Sequence, residues 1–143
     1  MKLPLLCLVA VLSLSMTVVA QEGNIPPIVA RGFATYQRDG ALAAVNSWFT
    51  GSARESDGGL QDDAVARLGR VQGWLGKMTG YESIRTVVLS KSTRRVYLVV
   101  KFEKGVAWMA FDCYQPDKEW IVTRFEFNTN AGQVLPPNIL GGQ

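Results

Sequence analysis

The chain has 143 residues, a formal charge of +3 at pH 7 and no histidine. Because its 15 basic side chains are nearly balanced by 12 acidic ones, a nucleic-acid-binding protein with a strongly basic face is excluded. The absence of histidine removes the usual base of a catalytic triad and the commonest zinc ligand, which excludes hydrolysis by a histidine-assisted route.

Residues 1–20 have the form of a secretory signal peptide. Lys2 gives the positive start, residues 5–14 form an apolar run, and residues 18–20 place small or modest side chains before the expected cleavage point. The run is short for a membrane span and is followed by polar residues, which favours cleavage over anchoring. We therefore expect a periplasmic or secreted protein without a membrane anchor after cleavage.

Cys113 is the only cysteine left after this cleavage, because Cys7 lies within the apolar run. A single cysteine cannot form an intrachain disulfide, so the domain must be held together by packing. We expect a buried, inert thiol, since free cysteine is among the most buried residue types. Pairing with a second copy is the alternative.

The first half of the mature chain predicts two helices. Residues 21–30 contain two adjacent prolines and predict an extended lead-in. Residues 31–50 have helical spacing and many alanines, although Gly40 could kink this helix. After a polar, glycine-rich loop, an amphipathic stripe from Leu60 to Met78 predicts a second helix over residues 60–78.

The second half predicts an antiparallel meander of four strands, followed by a tail. Runs rich in valine, tyrosine, phenylalanine and tryptophan predict strands at about 82–90, 94–103, 106–115 and 119–127. The fold class is therefore α+β, with two N-terminal helices packed on one face of a curved antiparallel sheet. We expect one domain over residues 31–135 and a flexible tail over 136–143.

Hairpin geometry predicts an apolar face of the sheet. A two-residue turn at Lys104-Gly105 would pair Glu103 with Val106, and a three-residue turn would connect the last two strands. In this register, Ile121, Thr123, Phe125 and Phe127 join the even-numbered residues 96–102 and the odd-numbered residues 107–113 on one face. The helices should cover this face. Its candidate pocket residues, for a small apolar ligand, are Phe49, Leu68, Leu75, Leu98, Met109, Phe111 and Phe125.

The opposite face mixes aromatic and charged side chains. Such a composition is typical of a protein interface, and the face could be covered by a second subunit, by the tail or by a ligand. Asp112 and Arg124 are diagonal neighbours in this register and could pair, and Lys101 lies across from Trp108, within reach of a cation–π contact. The candidate interface residues are Tyr97, Lys101, Trp108, Asp112, Tyr114, Trp120 and Arg124.

The run YESIRTVVLSKSTRRVYLVVKFEKGVAWMAFDCYQPDKEWIVTRFEFNT, with Trp120, Phe125, Phe127 and Asn128 near its end, resembles the nuclear-transport-factor-2-like (cystatin-like) superfamily. The resemblance covers about residues 31–135 and rests on element order and strand texture. It implies a sheet curled around a helix-capped cavity, and dimers formed through the outer face of the sheet. The enzymatic members carry an acidic base and donor groups in that cavity, but no stretch here matches those motifs, so no catalytic residue is carried over.

The sequence therefore favours an exported, non-enzymatic binding domain that forms a homodimer or binds a protein partner through the mixed face. One alternative is a carrier of a small apolar ligand between helices and sheet. Another is an isomerase or cyclase with Tyr97 as donor and Asp112 as base. We expect no cofactor and no metal, because the sequence has no acidic cluster with ligand spacing and no glycine-rich phosphate loop.

Overall fold

A computed structural model describes residues 25–141 of the protein, which form three helices followed by a four-stranded antiparallel sheet. The helices pack on one face of the sheet, so the predicted α+β class is confirmed. The predicted signal peptide lies outside the described residues. None of the helices in this described range has the length and apolarity needed to cross a bilayer.

Two of the helices replace the single helix predicted over residues 31–50. Gly40 has a φ of 87°, a left-handed conformation that glycine adopts readily and that interrupts the helix. The first helix begins at Pro27 rather than at residue 31, because proline suits the first helical position. The helices are α1 (Pro27–Asp39), α2 (Ala41–Phe49) and α3 (Gly58–Leu75).

The third helix has defined ends and a stripe that is only partly buried. The Asp57 carboxylate accepts a hydrogen bond from the Leu60 amide at 3.2 Å and caps the N-terminus. Gly76, with a φ of 85°, ends the helix. Leu68 and Leu75 are buried in the core, whereas Leu60 is 44% exposed. The N-terminal part of α3 therefore extends past the packed core.

The sheet is a meander in the order β1-β2-β3-β4, with every neighbouring pair antiparallel. A short 3-10 helix at Ala131–Gln133 begins the C-terminal segment of residues 131–141, which is longer than the predicted tail and which we call the tail from here on. The strands are β1 (Met78–Val88), β2 (Thr93–Phe102), β3 (Gly105–Tyr114) and β4 (Ile121–Asn128).

The register of β2 and β3 differs from the prediction by two residues. Phe102 pairs with Gly105, so Glu103 and Lys104 form the turn. The end of α3 fixes this turn, because the Lys104 amide donates to the Leu75 carbonyl at 2.9 Å. A shift of two residues leaves every side chain on its predicted face. The apolar face of these two strands is therefore confirmed.

The register of β3 and β4 contains a bulge that the sequence analysis missed. Asp112 pairs with Arg124, but Cys113 pairs with Val122, so Thr123 is an extra residue on β4. The Thr123 hydroxyl donates to the Asp112 carbonyl at 3.1 Å, and its side chain is exposed. The prediction that Thr123 and Ile121 lie on the apolar face is thus wrong. Val122 is buried in their place.

Aromatic rings fill the space between the helices and the sheet. Phe33 lies 5.1 Å from Trp48 and 5.8 Å from Phe111, measured between ring centres. The Trp48 indole donates to the Val29 carbonyl at 3.1 Å, which satisfies its buried polar atom. Phe33, Trp48 and Phe111 are fully buried, so the centre of this side of the sheet is closed to water.

Candidate functional site

The tail lies on the face predicted as an interface. Val134 and Leu135 pack against Tyr97 and Ala110, and all four side chains are buried. Trp108 is partly buried against the same cluster. Two of the predicted interface residues therefore contact the chain's own tail.

The charged residues of this face form ion pairs within the chain. Arg95 binds Asp112 at 3.1 Å and also pairs with Glu126. Arg124 lies 2.6 Å from the other carboxylate oxygen of Glu126 instead of binding Asp112. The predicted pairing of Asp112 with Arg124 is therefore wrong, although the two residues are direct neighbours in the sheet.

Three further interface candidates are separated from this network. Lys101 binds Glu82 on β1 at 2.6 Å rather than Trp108. Tyr114 is 40% exposed at the end of β3. Trp120 packs against the core on the helical side. Its predicted position on the mixed face is wrong, because the bulge in β4 reverses the alternation before residue 123.

The predicted apolar pocket residues belong to the packed core. All seven are members of the cluster between helices and sheet, and Leu98 and Phe111 are fully buried. Only Phe49 and Phe125 also line a cavity open to solvent. Their rings are stacked 5.3 Å apart.

That cavity is a cleft of about 420 Å³ between α3 and β4. On the helical side it is bounded by one face of α3, and on the other side by Gln133 and Val134 of the tail. The cleft thus encloses the outer edge of β4 from both sides. Its remaining lining residues are Phe49, Arg54, Leu60, Asp63, Ala64, Arg67, Arg124, Phe125, Glu126, Phe127 and Asn128.

Two further cavities continue the cleft along the strand. One of about 360 Å³ lies between Arg54 and Thr123, and one of about 170 Å³ extends past Phe127 to Thr129. They share Arg54, Arg67 and Phe127 with the lining of the cleft, and together the three cavities follow the chain from Thr123 to Thr129. We call this row of cavities the edge groove.

Arginine side chains bind main-chain carbonyls of β4 in the edge groove. The Arg54 Nε donates to the Thr123 carbonyl at 2.6 Å, and the Arg67 Nη2 donates to the Phe127 carbonyl at 3.4 Å. The Arg67 guanidinium also lies 4.9 Å from the ring centre of Phe127 and 3.9 Å from Asp63. Because β4 is an edge strand, alternate carbonyls point away from β3, and the arginine contacts place those of Thr123 and Phe127 among them.

The groove has a small excess of positive side chains. The positive residues are Arg54, Arg67, Arg70 and Arg124, and the negative residues are Asp57, Asp63 and Glu126. Asp57 caps α3, and Glu126 is shared between Arg95 and Arg124. An acidic group entering the groove would therefore meet arginine donors.

Sequence reasoning missed Arg54, Leu60 and Arg67 as site residues. A four-stranded meander must leave its last strand at an edge, and this much was readable from the sequence. The position of the arginines could not be predicted from the sequence, because it depends on how α3 lies across the sheet. One signal was present, since Leu60, Ala64 and Arg67 follow helical spacing on one face of α3.

Two ionisable groups with displaced pKa values belong to the core rather than to the groove. Burial raises the pKa of Tyr36 to about 12. Burial, with a smaller contribution from Asp112, raises the pKa of the Cys113 thiol to about 12 despite the opposing effect of Arg94. The prediction of a buried thiol is confirmed. Within residues 25–141, no cluster of three or more potential ligand residues could hold a metal ion.

Comparisons with protein-family models, with curated proteins and with solved structures found no match for this chain. The geometry of the edge groove is therefore the main indication of function.

Proposed function

We propose that the protein is a non-enzymatic interaction domain that binds an extended segment of a partner protein along β4. The observation that carries the proposal is the edge groove itself, which follows the free edge of the sheet from Thr123 to Thr129. Addition of a strand to an exposed sheet edge is a common mode of peptide recognition, in which main-chain hydrogen bonds give affinity.

The position of α3 supports this mode of binding. The residues Leu60, Asp63, Ala64 and Arg67 of α3 face the groove rather than a fifth strand. A partner strand would lie about 4.8 Å from β4, beneath this part of the helix. Its apolar side chains would contact Leu60, which is 44% exposed, and Phe125, which is half-buried.

The other functional expectations have less support. Self-association through the mixed face, which the family resemblance implies, would require the tail to leave Tyr97 and Ala110. An isomerase using Tyr97 and Asp112 would need both groups accessible, but the tail buries Tyr97 and Arg95 pairs with Asp112. A small apolar ligand has the cleft available, although the cleft continues along the strand beyond the size of one small molecule.

Selection from a displayed library of ten-residue peptides tests the proposal. Enriched peptides should protect main-chain amides of residues 123–129 from hydrogen exchange. Methylation of alternate peptide amides should abolish binding, because only every second amide of an added strand faces β4. Failure to enrich any peptide, protection at another surface, or tolerance of methylation at every position would contradict the proposal.

A further inference from the structure

We infer that the partner segment carries two acidic side chains four residues apart, with an apolar side chain midway between them. This inference rests on the proposed function and specifies the chemistry of the partner. It follows from the two arginine contacts with β4.

In the empty groove, the two arginines bind main-chain carbonyls of β4. Arg54 and Arg67 satisfy the carbonyls of Thr123 and Phe127, which would otherwise be exposed acceptors on an edge strand. An added strand would bring its own amides to these carbonyls. Each arginine would then lose its acceptor but keep its charge and its donors at the groove wall.

An added strand would leave both arginines without these carbonyl acceptors. A guanidinium that loses a hydrogen-bond partner in a partly enclosed groove is stabilised best by a carboxylate, which can accept two parallel bonds. Asp63 lies 3.9 Å from Arg67 and is exposed, so it leaves most Arg67 donors available. Acidic side chains in the partner segment would supply these acceptors and the complementary charge.

The positions of the two arginine-bound carbonyls give the spacing of the acidic side chains. The two arginine-bound carbonyls belong to residues 123 and 127, which lie about 14 Å apart along an extended strand. Acids four residues apart in the partner would match this distance on one face of the added strand. The residue midway between them would lie opposite Phe125, whose ring lines the cleft.

The same contacts argue against a second copy as the occupant. Pairing of two β4 edges would bring the arginines of both copies into one groove, where like charges repel. An acidic partner has the complementary charge. The pattern of acid, apolar residue and acid at alternate positions reads the same in both chain directions, so it suits parallel and antiparallel pairing equally.

Three synthetic ten-residue peptides test the inference with the full protein. The first has threonine at even positions and valine at odd positions, except for glutamate at the third and seventh. The second replaces both glutamates by glutamine, and the third moves one glutamate from the seventh to the eighth position. We expect the first to bind at least about tenfold more tightly than either of the others, because it alone pairs both arginines.

Protein variants separate the arginines from general charge effects. The preference for the first peptide should shrink in Arg67→Gln and disappear when Arg54→Gln is added, while melting by circular dichroism checks that each variant is folded. Arg85→Gln, on β1 at the opposite edge of the sheet, should keep the full preference. Ultracentrifugation of the free protein tests the second copy as occupant, and a dimer lost in the double variant would overturn the inference.

The outcomes distinguish this inference from the proposed function. Equal binding of all three peptides with protection of residues 123–129 would overturn the acidic pattern and leave strand addition intact. Failure of all three to bind at millimolar concentration would count against strand addition itself.

Discussion

The two faces of the same sheet are covered in different ways. The helical face is closed by three helices and a cluster of rings that includes Phe33, Trp48 and Phe111. The opposite face holds an ion-pair network, and only a short apolar strip that contacts Val134 and Leu135 of the tail. Strand alternation generates both faces, but the covering elements differ in size and in tolerance of water.

This difference shows what the alternation of a strand can and cannot specify. Alternation decides which side chains share a face, because successive residues point in opposite directions. It does not decide what covers that face. Three helices bury the centre of the apolar face and leave its β4 edge open at the edge groove, whereas the tail covers the centre of the other face and leaves Tyr114 exposed. The helical face should therefore contribute more to the free energy of unfolding, and its packing should tolerate less change.

The largest effect is expected from Gly32→Ala in α1. A Cβ atom at residue 32 would overlap the indole ring of Trp48, which is fully buried and held by its hydrogen bond to Val29. We expect a loss of about 3 kcal/mol in the free energy of unfolding, measured by urea denaturation, since the buried ring cannot move aside.

Gly69→Ala in α3 is the matched control. Apart from its chain neighbours and the nearby backbone of α3 itself, a Cβ atom there would meet nothing within 4 Å. The same substitution should stabilise this exposed helical position by about 0.5–1 kcal/mol. Similar losses of stability in both variants would contradict the conclusion that residue 32 is tightly packed whereas residue 69 lies on an open helix surface.

An intermediate effect is expected from Leu135→Ala in the tail. Leu135 is 6% exposed, so its truncation removes apolar contacts with the strip on the sheet. We expect a loss of about 2 kcal/mol, at the low end for buried leucine, because a short tail can readjust around the missing atoms. Hydrogen exchange should become faster in residues 131–139, and in α1 and α2 by no more than the loss of about 2 kcal/mol in global stability requires. A larger acceleration in α1 and α2 would show that the two faces are not independent.

The face assignments of β2 and β3 could be predicted because an error of two residues in the turn preserves alternation. Leu98 pairs with Met109 rather than with Phe111, yet all three lie on the predicted face. The same reasoning failed for Trp120 and Val122, because one bulged residue reverses the alternation. A bulge depends on side-chain packing between strands, and no turn residue in the sequence marks its position.

The edge groove was less predictable than the core. Its floor contains phenylalanines from β4 that the sequence analysis placed on the apolar face, and Phe49 and Phe125 were already pocket candidates. Its arginines come from a loop and from α3, which lie 69 and 60 residues before their acceptors in the chain. Local periodicity carries no information about contacts at such separations, since these follow from the packing of helix on sheet.

The smallest effect is expected from Tyr36→Phe in α1, which tests how completely the helical face excludes water. Within residues 25–141 the buried Tyr36 hydroxyl has no hydrogen-bond partner, so its removal should change the free energy of unfolding at pH 7 by less than about 1 kcal/mol. At high pH the variant should be the more stable protein. The unfolded chain loses the Tyr36 proton above its ordinary pKa of 10.0, whereas the folded chain keeps it up to about pH 12. The wild type should therefore lose about 1 kcal/mol relative to the variant at pH 11, measured by urea denaturation. Parallel pH profiles for the two proteins would mean that water reaches the Tyr36 hydroxyl. The helical face would then be no better closed to water than the face covered by the tail.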